Sequence, residues 1–229
     1  MILDNADERE PSTMEGEKRM LRYAASIGII VAILGSANAS SQADSTCSVD
    51  TANLATTDYV ARARTVMGLK DINVLFLLCD STGFLTKRSP SGTVYTIRYP
   101  TLDDARRYKA PIIHELAHVL QLERSGGMSA LSQSLNGSTP RIELGADFLA
   151  GVVYKRLWPT DDDTFEYQSD VQLLGSYHLE DAERHGTPAD RNSAFRLGYF
   201  LNDRKVDDLW LDHQYFQSKL FSQFMQKET

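Results

Sequence analysis

The sequence predicts an α+β fold that is mostly helical, with a small β-sheet ahead of a central helix. Two runs rich in β-branched and aromatic residues, 72–79 and 93–99, lie before residue 100. After residue 109, apolar residues recur at helical spacing. The chain has 229 residues, 42% hydrophobic and 24% charged, which suits a globular protein with one sizeable core. Its net charge of -7 argues against a broad nucleic-acid-binding face, so no nucleic-acid partner is expected.

Residues 1–39 are predicted to be an N-terminal extension with a secretory signal peptide. Three basic residues precede an apolar run, 24–34, and a small-residue cleavage site ends at Ala39. Export to the periplasm or the extracellular space follows, with 40–229 as a single domain. The alternative is an uncleaved segment that anchors the chain in a membrane through residues 24–36.

The chain has only two cysteines, Cys47 and Cys79, and both follow the predicted cleavage site. In an exported protein, an even pair favours one disulfide. The alternative is two separate free thiols.

Turn signals separate the periodic segments of the first half of the domain. Apolar residues at helical spacing over 51–69 end near Gly68, a common helix terminator. The compact run 72–79 is typical of a buried strand, and the alternating run 93–99 is a second strand closed by Pro100. The predicted order is a flexible lead-in at 40–50, a helix at 51–69, a strand at 72–79, a loop at 80–92, a strand at 93–99 and a short helix at 101–108.

Prolines and glycines divide the second half into helices. Pro111 suits the first turn of a helix over 110–123, because its missing N–H costs nothing there. Pro140 opens a strong helix over 141–158, and the run His-Gly-Thr-Pro at 185–188 gives a turn, a cap and a helix start. The remaining predictions are a loop or broken helix at 128–139, a helix at 165–181, a continuing helix at 193–201 and an amphipathic helix at 206–227.

The helix over 110–123 carries a His-Glu-x-x-His motif at His114, Glu115 and His118. Histidines four apart lie on one helix face and can bind the same tetrahedral Zn²⁺. Glu115 then points toward the open position of the metal, where it can take a proton from a zinc-bound water. The alternative is a surface helix with two incidental histidines. Gln121 and Arg124 exclude the extended motif, which has glycine and a third histidine at those positions.

A third zinc ligand is predicted on the helix over 141–158, where Glu143 and Asp147 lie four apart on one face. Glu143 follows His118 by 25 positions, which leaves room for a loop and a second helix that returns alongside the first. We expect Glu143 to bind the zinc and Asp147 to accept a hydrogen bond from the free ring N–H of His114. Taken alone, the two acids would also suit a solvated acidic face.

These motifs resemble those of a bacterial family of neutral zinc metallopeptidases. Residues 114–121 match its His-Glu-x-x-His-x-x-Gln pattern, 143–151 match Glu-x-x-Ala-Asp-x-x-Ala-Gly, and 185–199 are similar to a later His-Gly-[Ser/Thr] segment before a helix. The resemblance extends from about Cys79 to Tyr199. It implies a zincin-like fold, one Zn²⁺ per chain with Glu143 as a ligand, and Gln121 as a residue that supports the ligands.

The predicted activity is hydrolysis of peptide bonds in a peptide or protein substrate, by a zinc-activated water with Glu115 as the general base. The oxyanion needs a further donor. His185, Tyr177 and His178 are the candidates, with His185 taken as the catalytic one, although each would also suit a structural role. In zincin folds the strand before the active helix commonly pairs with extended substrate, a role we assign to 93–99.

Two alternatives to a metallopeptidase stay open. One is a secreted zinc-binding scaffold protein without turnover, against which Glu115 argues because it is not a ligand. The other is a zinc hydrolase of non-protein amides. A membrane is a partner only if the signal segment stays uncleaved.

Overall fold

The computed structural model has the mixed α+β fold that the sequence predicts, mainly helical with one four-stranded sheet. It describes residues 47–49, 57–79, 85–99, 109–159, 185–201 and 208–222. The elements in chain order are β1 (Cys47–Val49), α1 (Asp58–Val66), β2 (Asn73–Cys79), β3 (Leu85–Arg88), β4 (Val94–Tyr99), α2 (Lys109–Ser125), α3 (Met128–Ser134), α4 (Thr139–Leu157), α5 (Pro188–Phe200), α6 (Leu209–Tyr215) and a π-helical turn, Phe216–Leu220.

The sheet has the strand order β1-β2-β4-β3. β2 and β4 are parallel, whereas β1 and β3 run antiparallel to their neighbours. Cys47 pairs with Cys79 in the register of β1 and β2, and a disulfide joins the two residues. The predicted disulfide is therefore confirmed.

β4 lies inside the sheet, with β2 on one side and β3 on the other. Its buried side chains alternate, at Tyr95, Ile97 and Tyr99, as expected for a strand with one face on the core. The prediction that 93–99 pairs with substrate is wrong, because both edges of this strand already make ladder hydrogen bonds. The outer strand on this side is β3.

Two short strands differ from the sequence predictions. The lead-in at 40–50 contains β1 and the loop at 80–92 contains β3, whereas the short helix α3 agrees with the broken helix that is one of the two predictions for 128–139. Each strand is brief, so its conformation depends on a neighbour in space. The strands are held by β2 and β4, and these pairings leave no signal in the local sequence.

Several predictions fall outside the described residues. They are the signal peptide and the alternative anchor at 24–36, the first part of the helix at 51–69, and the helices at 101–108 and 165–181. In the ranges that the structure does describe, no helix is both long enough and apolar enough to span a bilayer.

Helices α2 and α4 form the centre of the molecule. Every residue from Ala110 to Leu122 is buried, and so is every residue from Ile142 to Tyr154. The sheet packs on α2 through β3 and β4, and α4 packs between α2 and α5. Because these helices are buried all round, the polar side chains they carry need partners inside the protein.

Two glycines let α4 and α5 cross at very short distance. A Cβ at Gly151 would clash with the carbonyl oxygen of Phe195 and lie 2.9 Å from the amide nitrogen of Tyr199. A Cβ at Gly198 would clash with the carbonyl oxygen of Phe148. These obstacles are backbone atoms, which cannot rotate away.

We expect Gly151→Ala to lower the free energy of unfolding by about 3 kcal/mol, because the helices must separate to admit the methyl group. Urea unfolding of the purified protein measures this, with an unchanged m-value if the unfolded state is unaffected. A loss below about 1 kcal/mol would mean that the crossing is looser than described.

Candidate metal centre

Three buried side chains converge where α2 faces α4. The Nε2 of His114 lies 3.3 Å from Glu143 Oε2, and the Nε2 of His118 lies 3.5 Å from Glu143 Oε1. Ligand atoms of all three residues lie within 4.8 Å of one another. The fold therefore brings together the two helix motifs, as the spacing predicts.

Several polar atoms at this point have no hydrogen-bond partner among the described residues. They are His118 Nε2, both carboxylate oxygens of Glu143, Oε1 of Glu115 and Nδ1 of His185. Buried polar atoms are rarely left unpaired. A metal ion would satisfy the ligand atoms, and two imidazoles with one carboxylate form a donor set that suits such an ion. The group His114, His118 and Glu143 can thus hold a metal.

His114 is held by a buried ion pair. Its Nδ1 lies 2.9 Å from Oδ1 of Asp147, the partner that the sequence predicts for it. Asp147 in turn accepts two hydrogen bonds from the guanidinium of Arg191, at 2.7 and 2.8 Å. Both Asp147 and Arg191 are fully buried. This pair orients the ring so that Nε2 faces Glu143.

The charges of this pair shift the pKa values of the site. Burial alone would lower the pKa of His114, but the Asp147 carboxylate outweighs it and raises that pKa to about 9. Burial alone would raise the pKa of Asp147, but the adjacent Arg191 holds it below the usual value. For Glu143, the neighbouring His118 overcomes burial and lowers the pKa well below its ordinary range. A metal bound at Nε2 of His114 would displace the proton from that nitrogen, whereas Nδ1 keeps the proton that faces Asp147.

His118 has a neutral support. Its Nδ1 lies 2.9 Å from Oε1 of Gln121, one turn further along α2. Gln121 is fully buried and donates from Nε2 to the carbonyl oxygen of Ile142, at 2.9 Å. It thus supports the imidazole of His118, which is the role that the motif resemblance predicts for Gln121.

Glu115 is buried, and only one of its two carboxylate oxygens accepts a hydrogen bond within the described residues. Oγ1 of Thr86, on β3, lies 2.6 Å from Glu115 Oε2 and 3.1 Å from the Glu115 carbonyl oxygen. The other carboxylate oxygen, Oε1, has no hydrogen-bond partner in the described part of the chain. One oxygen is therefore anchored and the other is available for proton transfer.

His185 lies at the edge of the same cluster. Its Nδ1 is 3.5 Å from Glu143 Oε1, and the residue is 8% exposed. The next residue, Gly186, has φ +89, and a Cβ there would lie 2.9 Å from a methyl group of Leu144. Glycine is thus needed for the chain to approach α4 at this point. Thr187 then caps α5 in a capping box with Asp190, as the sequence predicts.

The other two candidates for the oxyanion donor, Tyr177 and His178, lie outside the described residues. Among the described residues, sequence reasoning assigned no role to Arg191, Thr86 or His213, although all three hydrogen-bond to the site. A buried Asp147 predicts a cationic partner, but the chain has 24 lysines and arginines and no local pattern selects one. Thr86 lies in a segment predicted as a loop.

No family model, curated protein or solved structure matches this chain. The family resemblance of its motifs therefore stays a prediction.

Proposed function

We propose that this protein is an exported, zinc-dependent metallopeptidase with a zincin-like arrangement of sheet and active helix. The observation that carries the proposal is the group of buried atoms without hydrogen-bond partners in the described residues, shared by His118, Glu143 and Glu115. Two of these residues are ligands, but Glu115 is not. A cluster built only to store a metal does not need an additional buried carboxylate.

His114, His118 and Glu143 would hold the ion, through Nε2, Nε2 and a carboxylate oxygen. Zn²⁺ in such a site lowers the pKa of a water molecule and polarises a carbonyl group. Asp147 accepts a hydrogen bond from Nδ1 of His114, and Gln121 accepts one from Nδ1 of His118. Both Nε2 atoms are therefore directed at the ion.

Glu115 is the general base in this proposal. Thr86 fixes its Oε2, which leaves Oε1 to accept the proton of the attacking water and to deliver it to the leaving amine. His185 is the proposed donor to the oxyanion, because it lies beside Glu143 and keeps some access to solvent.

The position of β3 supports a peptide substrate over other amides. β3 is the outer strand of the sheet, and no described strand pairs with its far side. Thr86 links this strand directly to Glu115. An extended peptide that added to β3 would therefore run past the general base, with main-chain hydrogen bonds fixing its register.

Export is proposed from the N-terminal sequence and is supported by the disulfide between Cys47 and Cys79. Disulfides persist in oxidising compartments and are rare in the reducing cytosol.

We expect one zinc ion per chain, and a loss of tight binding in Glu143→Ala, which removes one of three ligands. Metal analysis of the purified protein and competition with a chromogenic chelator measure both. Asp58→Ala is the matched control, because the side chain of Asp58 is 84% exposed and Asp58 is not one of the three residues whose ligand atoms converge. Parental zinc affinity in Glu143→Ala would exclude this residue from the site.

Cleavage of a denatured proteome, with the products sequenced by mass spectrometry, separates the peptidase from its alternatives. A peptidase loses activity with a chelator and regains it with added zinc. A zinc-binding scaffold would bind the metal without producing any cleavage. A hydrolase of non-protein amides would also leave these peptides intact.

A further inference from the structure

Next to His118, a row of three buried polar side chains connects α2 to α6 and the π-helical turn. The row consists of Gln121, His213 and Gln217. Gln121 Nε2 lies 3.1 Å from Nε2 of His213 on α6, and Gln217 Nε2 lies 3.3 Å from the same ring nitrogen. His213 is 2% exposed, and its ring stacks on Trp210 with the two planes 16° apart. Trp210, His213 and Gln217 have no part in the catalytic mechanism proposed above.

The carbonyl oxygen of Ile142 fixes the orientation of the Gln121 amide. A carbonyl can only accept a hydrogen bond, so the atom 2.9 Å from it must be the amide nitrogen. Oε1 of Gln121 then faces Nδ1 of His118, which must carry the proton. The lone pair of His118 is thereby placed on Nε2, the atom that faces Glu143. Free histidine prefers the opposite tautomer, so this arrangement needs a rigid acceptor.

The second N–H of the Gln121 amide is directed at His213. Gln217 also points an N–H at His213 Nε2, and its nitrogen is already anchored by the carbonyl oxygen of Arg141 at 2.7 Å. Nε2 of His213 therefore has to be an acceptor, and the ring has to be neutral. Burial lowers the pKa of His213 to about 3, in agreement with this.

Gly145 provides the space in which these side chains meet. A Cβ at this position would lie 2.5 Å from Gln217 Nε2, 2.7 Å from His213 Nε2 and 2.9 Å from Gln121 Nε2. Gly145 lies on α4 between Glu143 and Asp147. Because Gly145 has no side chain, α4 leaves room for the side chains of Gln121, His213 and Gln217.

We propose that His213 is a positioning residue for the metal centre, which locks the Gln121 amide and through it the tautomer of His118. The inference rests on the proposed function in that it takes His118 as a ligand. Its geometry, however, is complete in the metal-free protein. His213 acts on His118 through Gln121, and its hydrogen bonds within the described residues go to Gln121 and Gln217.

The test replaces His213 by Phe, which keeps a ring against Trp210 but removes the acceptor. Imidazole ¹⁵N NMR of the metal-free protein, at a pH where His118 is neutral, reports the tautomer. We expect the Nδ1–H form in the parent and a mixture of tautomers in the variant. The zinc affinity, from competition with a chelator, is expected to fall about 10-fold, the lower end for residues that orient ligands. His213→Gln places an acceptor near the position of Nε2 and is expected to restore both readouts.

A double-mutant cycle with Gln121→Leu tests whether the effect passes through Gln121. In that background His213→Phe is expected to change the zinc affinity no further, because the connection is already broken. Leu211→Ala is the control on the same helix, since Leu211 is 53% exposed. His213→Met serves for the cycle if the Phe variant does not fold.

Parental tautomer and parental zinc affinity in His213→Phe would overturn the inference, as would full additivity in the cycle. If the parent itself binds no zinc, the proposed function fails. The tautomer of His118 in the parent, His213→Phe and His213→Gln then still decides whether His213 positions this ring.

Discussion

Replacement of Glu115 by Gln is expected to leave the fold and the bound zinc unchanged and to lower kcat at least about 100-fold. The substitution is nearly isosteric, and it removes only the proton acceptor. General-base catalysis contributes typically about 10²–10⁴-fold to an enzymatic rate. The amide oxygen can still accept the hydrogen bond from Thr86, so the side chain keeps its anchor on β3.

Steady-state kinetics on a peptide identified by proteome cleavage measure this effect, with metal analysis of the same sample. Glu123→Gln is the matched control, because Glu123 lies on the same helix and hydrogen-bonds Tyr95 instead of facing the site. Hydrolysis at the parental rate by Glu115→Gln would refute the proposed mechanism, even with zinc bound by His114, His118 and Glu143.

Replacement of Arg191 by Met is expected to destabilise the protein by about 3–5 kcal/mol, the usual cost of removing one partner from a buried ion pair. The variant leaves the Asp147 carboxylate buried without its bidentate partner. Such a loss is a large part of the free energy of unfolding, which is typically about 5–15 kcal/mol for a folded protein. The orientation of His114 depends on the same carboxylate, so zinc binding is expected to weaken as well.

Urea unfolding of the metal-free protein separates the stability effect from metal binding. Arg62→Met is the control for an exposed pair, since Arg62 and Asp58 are 47% and 84% exposed, and we expect it to cost less than about 1 kcal/mol. The double variant Asp147→Asn with Arg191→Met is expected to recover part of the loss, because no unpaired charge remains. Equal stability of Arg191→Met and the parent would show that Asp147 is not ionised in the fold.

The sequence predicts those parts of the site in which two residues lie four positions apart on one helix. The spacing of His114 and His118 and that of Glu143 and Asp147 follow from the helical period, and the structure brings these four residues together. The turn before α5 was also predictable, because Thr187 and Pro188 have a local role as a cap and a helix start.

The parts that could not be predicted depend on contacts between distant segments. Arg191, 44 positions from Asp147, and His213, 92 positions from Gln121, are placed only by the packing of α5 and α6 on α4. β3 was missed for a similar reason, since four polar and apolar residues become a strand only beside β4. No local pattern distinguishes these residues from surface arginines, histidines and loops.

The two histidines are supported by groups of different charge, and this sets the charge balance of the centre. Asp147 and Arg191 cancel each other, whereas Gln121 and His213 add no charge. Once both imidazoles are neutral, as metal ligands must be, the carboxylates of Glu115 and Glu143 give the buried centre an excess of two formal negative charges. A divalent cation cancels the excess completely, whereas a monovalent or a trivalent ion would leave a net charge buried in the core.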